Sequence, residues 1–123
     1  MNASFPAAVL ERFDAMKVVD IETRSAKGTT HSVPIWIVVV DGVPYVRSVR
    51  GPQGRWYREL LASGEGAIVA GGERTAVKAT HDRTRAAIDG TSDALRRKYD
   101  GSAASLASML RPEVLDTTVR LEP

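Results

Sequence analysis

The stretch Thr-His-Ser-Val-Pro-Ile-Trp-Ile-Val-Val-Val at residues 30–40 constrains the fold more than any other part of this chain. β-Branched side chains lose freedom in a helix and pack well on a pleated surface. The apolar positions do not alternate with polar ones, so the run predicts a strand covered on both faces. Pro34 has no N–H to give to a ladder, which requires an edge position, a bulge or a bend there. The apolar part, residues 33–40, is far short of the roughly 20 residues that span a bilayer. Asp41-Gly42 then supplies a two-residue hairpin turn, and residues 43–50 read as the returning strand.

The same periodicities carry through the rest of the chain. Residues 17–25 alternate, with Val19, Ile21 and Thr23 on one side, as a half-buried strand does. Residues 67–71 and 74–81 read as a second hairpin around Gly72, and 116–121 as a last strand. Helical spacing appears at 6–16, where Val9, Leu10, Phe13 and Met16 share a face, Pro6 suits the first helical position, and Asn2 or Ser4 can cap. It recurs at 55–63, at 84–99, where Gly90 is a point of division, and at 103–110. Six strands, arranged mainly as hairpins, and four short helices favour a mainly β fold over a doubly wound sheet. The expected architecture is a six-stranded antiparallel barrel with peripheral helices. With 123 residues, the chain reads as a single domain over 1–123.

Composition removes several chemistries. There is no cysteine, so no disulfide, no thiolate nucleophile and no Cys-ligated zinc or iron–sulfur site. Two histidines, His31 and His81, cannot build a three-histidine metal centre within one chain, and no metal site is expected. A formal net charge of +2 gives little field for nucleic-acid binding. The N-terminus carries neither a basic n-region nor a sustained apolar h-region, so the expectation is no signal peptide, no membrane span and a cytoplasmic location.

One constellation points to a ligand. Arg47, Arg50, Arg55 and Arg58, four of the thirteen arginines, fall within twelve residues that also hold Ser48, Gly51, Gly54 and Trp56. The segment ends a strand, crosses a glycine-bracketed loop and enters a helix N-terminus. Guanidinium forks, free backbone N–H groups and the helix dipole suit a phosphate or carboxylate there. Trp56 and Tyr57 add flat apolar surface for a ring-bearing anion; the alternative is solvated arginines around a core tryptophan. A second stretch, Arg24 with Lys27, Gly28, Thr29 and His31, sets a cation and hydroxyls at a glycine turn that could wrap another part of the ligand. His81-Asp82 is no catalytic pair, because adjacent strand side chains point to opposite faces. Arg96-Arg97-Lys98 reads as a charged helix face, and no residue stands out as an acid–base catalyst.

The order Thr23, Gly28, Pro34-Ile35-Trp36, Asp41-Gly42, Tyr45-Val46-Arg47-Ser48, Gly51, Arg55-Trp56-Tyr57, Leu60 resembles the flavin- and deazaflavin-binding split β-barrel superfamily. That group includes pyridoxamine 5′-phosphate oxidase-like proteins and deazaflavin-dependent nitroreductases, and the similarity is to a small branch of it. The resemblance covers most of residues 17–81 and, more loosely, the C-terminus. It implies a six-stranded split barrel, usually a homodimer, with FMN or a deazaflavin (coenzyme F-420) in a groove near the dimer interface. The cofactor's tail would lie among Lys27, Gly28, Thr29, His31, Arg47, Ser48, Arg50, Gly51, Gly54, Arg55 and Trp56, with Trp36 and Trp56 shielding the ring. His31 stands where the deazaflavin enzymes carry an arginine. The activity implied is hydride transfer to a small electrophile such as a quinone, enone or nitro compound. The alternative is a cofactor-free barrel dimer that binds a small anionic ligand or acts as an interaction module.

Overall fold

A computed structural model describes residues 4–123. The expected cap at Asn2 lies outside those residues. Pro6 is itself the N-cap of α1 (Ala7–Ala15), with extended ψ and no side-chain cap, so Ser4 plays no capping part. Phe13 is the fully buried residue of α1, and Phe5 meets it edge to face at 5.8 Å.

Seven strands follow, not the six expected: β1 (Val19–Arg24), β2 (Thr30–Ile35), β3 (Ile37–Val40), β4 (Val43–Val46), β5 (Glu65–Ala70), β6 (Glu73–His81) and β7 (Val119–Glu122). They form one antiparallel sheet in the order β2-β1-β5-β6-β7-β4-β3. The extra strand arises because residues 30–40 are not continuous. The run breaks at Trp36, pairing with β1 before it and with β4 after it. β2 and β3 are the two end strands of the sheet, yet a single residue joins them. The sheet must therefore curl until its ends meet at Trp36, which is a barrel left split along that seam. Pro34 lies on end strand β2 opposite Asp20, where its missing N–H breaks no ladder on the open side.

Backbone groups released by the break need other partners. Tyr99, just past α3 (Arg85–Lys98), takes the Ile37 N–H on its hydroxyl at 3.3 Å and donates to Lys17 O at 2.8 Å. Lys98 Nζ donates to Ile37 O at 2.7 Å and to Phe13 O at 2.8 Å. Lys98 is thus no part of a solvated charged face. Burial holds its pKa down to about 8, and burial pushes Tyr99 up to about 12.

The helices cover the sheet. α2 (Arg55–Ser63) buries Tyr57 and Leu60. Thr84 caps α3 by accepting the Ala87 N–H, and the helix runs through Gly90 undivided. A Cβ at Gly90 would lie 3.2 Å from Val40 Cγ1, so glycine there admits β3 close to the helix. α4 (Ala103–Met109) and the unanticipated four-residue α5 (Pro112–Leu115) lead into β7. One core gathers Phe13, Ile21, Ile37, Leu60, Ile68, Val119 and Leu121; a second joins Val38 to Leu95, Tyr99 and Met109. Among the described residues, no helix is long and apolar enough to cross a membrane.

Candidate ligand-binding groove

β4 ends at Val46, four residues short of the expected strand, and the chain turns inward. Arg47 is 2% exposed. Its Nε–H donates to Thr118 Oγ1, its Nη1 group to Ser92 Oγ and Met109 O, and its Nη2 group to Ile88 O, all at 3.0–3.1 Å. Ser48 is equally committed: its N–H donates to Thr117 Oγ1 at 3.0 Å and its hydroxyl to Gly51 O at 2.8 Å. Gly51 sits at φ +70°, a conformation that favours glycine. A Cβ on Gly54 would lie 2.5 Å from Ser48 Oγ. These two glycines let the loop fold tightly over Ser48 and deliver the chain to α2. Gly54 caps that helix without a side chain, so its first N–H groups keep no intrahelical acceptor.

The loop forms one bank of a groove. Its inner section, about 300 Å³, is walled by Pro34, Trp36, Val49, Trp56, Arg47 and, from α4, Ser105, Ser108 and Met109. Pro34, Val49 and Trp56 continue into a middle section beside Arg50, Gly54 and Arg55. Arg55 then borders an outer section with Arg24, Ser25, Ala26, Arg58 and the carboxylate of Glu59. Trp36 is half-buried rather than core, with one face stacked on Tyr99 at 3.8 Å and 3° between planes. Arg50 and Arg55 are exposed, and among the described residues neither forms an ion pair. The groove therefore runs from largely apolar walls to an end where Arg24, Arg55 and Arg58 outnumber the carboxylate of Glu59.

Of the residues singled out in the sequence, Ser48, Arg50, Gly54, Arg55 and Trp56 meet in the middle section. Arg47 borders the inner one, with four of its N–H groups committed inside the protein. Lys27, Gly28 and Thr29 form an exposed turn, closed by Gly28 N–H to Ser25 O and Ser25 N–H to Thr29 O, both at 2.9 Å. That turn reaches the groove through Ser25 and Ala26. Val49 and Met109 were not anticipated. Nothing local aims α4 at a loop some sixty residues earlier, whereas the exposed Val49 between two arginines was a readable sign.

His31 lines none of the three sections, but its partner Glu59 lines the outer one. Its Nδ1 lies 3.1 Å from both oxygens of Glu59, which also accepts from Thr23 Oγ1 at 2.8 Å. Burial raises the Glu59 pKa, but the bonds from Thr23 and His31 and the His31 and Arg55 charges outweigh it and hold the carboxyl below its ordinary value. The folded state therefore binds fewer protons than the unfolded one, and Glu59 adds stability above about pH 4.5 that is lost as pH falls through the folded pKa. Urea denaturation from pH 6 to pH 3 is expected to show this loss, reduced in Glu59→Gln. Tyr57 OH lies 3.0 Å from His81 Nε2, while Asp82 accepts from Thr84 and Arg120, so His81 and Asp82 diverge.

Curled sheet, seam at Trp36 and basic groove together define a split-barrel protein. The chain belongs to the family DUF2255, described as uncharacterized protein conserved in bacteria, which matches residues 9–121. No curated protein matches it. Among solved structures, it is similar to HutZ, the heme storage protein from Vibrio cholerae (12% identity, 98% of this chain and 90% of that one, TM-score 0.66). An F420-H2-dependent reductase aligns at 17% identity over 87% and 94% of the two chains, TM-score 0.62. A pyridoxamine 5′-phosphate oxidase-like protein from Listeria innocua aligns at 11% identity over 93% and 87%, TM-score 0.63. At these identities the likeness is one of fold, and it is the fold that the sequence resembles.

Proposed function

We propose that this chain binds a planar cofactor with an anionic tail, FMN or a deazaflavin, and acts as an oxidoreductase on small electrophiles. The observation that carries the reading is the continuity of the groove. Indole walls stand at one end, and two arginines without ion-pair partners stand beside an uncapped helix N-terminus at the other. These residues fit such a group: Trp36, Trp56, Val49 and Met109 exclude water around a ring, while Arg50, Arg55 and the α2 N–H groups suit its phosphate or carboxylate. When bound in its reduced form, such a cofactor supplies a hydride to a quinone, enone or nitro compound. Ser48 donates its hydroxyl proton to Gly51 O and Tyr57 OH pairs with His81, so neither is placed to donate the accompanying proton. The names of the reductase and the oxidase-like relative agree with this reading.

One observation favours a second reading, a cofactor-free barrel for a small anionic ligand: His31, at the position of the deazaflavin enzymes' arginine, is held by Glu59, a carboxylate on the wall of the outer section. Anaerobic mixing of the protein with reduced FMN or reduced deazaflavin coenzyme and a quinone, enone or nitroarene separates the two. Oxidation faster than without protein supports the oxidoreductase; no acceleration and no binding of either cofactor selects the second reading.

We propose a homodimer on the split-barrel resemblance; within one chain α1 and α3 cover only the 37–40 part of the apolar run 33–40. Among the described residues, Val18 and Val49, 48% and 46% exposed, are the large apolar side chains left for an interface. Light scattering at micromolar concentration is expected to give twice 13.3 kDa; a monomer overturns the proposal.

A further inference from the structure

Arg47 is a buried cation whose surroundings supply no opposite charge. Four of its five N–H donors reach hydroxyl or carbonyl oxygens, all neutral, on Thr118, Ser92, Met109 and Ile88. Besides burial, the influence that lowers its pKa, to about 10, is another cation, Arg96. Charges withdrawn from water are ordinarily paired, because neutral hydrogen bonds only partly replace the lost hydration. The side of Arg47 open to a partner is the inner groove, where it shares the wall with Trp36, Trp56, Val49 and Met109. One Nη2 hydrogen is left uncommitted.

We propose that the inner groove takes the ring end of its ligand as an anion, a planar aromatic system carrying negative charge, with Arg47 as the fixed counter-charge. This rests on reading the groove as a ring site, and it gives the arginines different roles, with Arg50 and Arg55 facing the tail and Arg47 facing the ring. Arg47 is buried whereas Arg50 and Arg55 are exposed, so water screens its guanidinium less and its preference for an anion over a neutral isostere is larger than theirs. A deprotonated ring nitrogen and an aromatic carboxylate satisfy the same requirement.

The test uses the full chain and two probes without tails, 4-nitrobenzoate and its neutral isostere 4-nitrobenzamide, with affinity read by calorimetry. Trp36 and Trp56 are the only tryptophans of the chain and both wall the inner groove, so quenching of their fluorescence locates the probe. The carboxylate is expected to bind at least about tenfold more tightly than the amide, as a charge-assisted bond requires. That preference is expected to persist in the Arg50→Ala/Arg55→Ala double variant and in Arg47→Lys, and to vanish in Arg47→Gln. Equal affinity of the two probes for the unmodified protein, binding of neither, or loss of the preference in the double variant overturns the proposal. These arms decide even where Arg47→Gln fails to fold. A parallel FMN titration separates the two readings. FMN binding without a preference between the probes overturns this proposal alone; the preference without FMN binding supports it and overturns the cofactor reading.

Discussion

Arg47→Ala is expected to lower stability by about 3–5 kcal/mol, far more than any other arginine between residues 47 and 58. Each bond from a charged donor is worth about 1.5–3 kcal/mol, and truncation leaves a cavity among buried groups. Removing a desolvated charge offsets part of the loss, and water entering from the groove restores part of the bonding, which keeps the total below the sum of four bonds. The acceptors lie on α3, at the end of α4 and just before β7, so one side chain ties β4 to three later parts of the chain. Arg50→Ala, at an exposed position, is expected to change stability by less than about 1 kcal/mol. Urea midpoints for the two variants check the contrast. Equal small shifts would mean that Arg47 holds nothing together.

Ligand affinity is expected to show the opposite ranking among the surface arginines. Arg50→Ala or Arg55→Ala should each weaken FMN binding by roughly ten- to a hundredfold, from about 1.5–3 kcal/mol per charge-assisted bond. Both border the middle section of the groove. Arg85, an exposed residue at the start of α3 whose partner Asp89 lies 4.0 Å away, is the control and should leave affinity unchanged. Equal weakening at Arg85 would point to a diffuse positive field rather than a site.

The sequence made the local parts of this fold legible. Asp41-Gly42 and Gly71-Gly72 form hairpin turns with positive φ at both residues of each pair, and few other residue pairs suit that geometry. The alternation of Val19, Ile21 and Thr23 states which side of β1 is buried. The break at Trp36 was not legible, because the groups that satisfy Ile37 belong to Lys98 and Tyr99, 61 and 62 residues further on. Nor was the commitment of Arg47. A run of arginines reads as surface until its acceptors are known, and these lie 41 to 71 residues away. α5 escaped notice for a different reason: four residues are too few to display a helical period. For the candidate site, the glycine-bracketed loop and the arginines at its ends could be read directly. The apolar bank from α4 could not, since tertiary packing alone brings Met109 there.

The central claim, that the groove holds a planar cofactor by its ring and its anionic tail, is tested most directly by titrating the protein with FMN and, separately, with a deazaflavin coenzyme while following tryptophan emission. Both indoles border the ring section, so one or the other ligand should quench them saturably, at one ligand per chain and with a dissociation constant in the micromolar range or below, about −8 kcal/mol or stronger. Emission unchanged by millimolar amounts of either ligand would contradict the account.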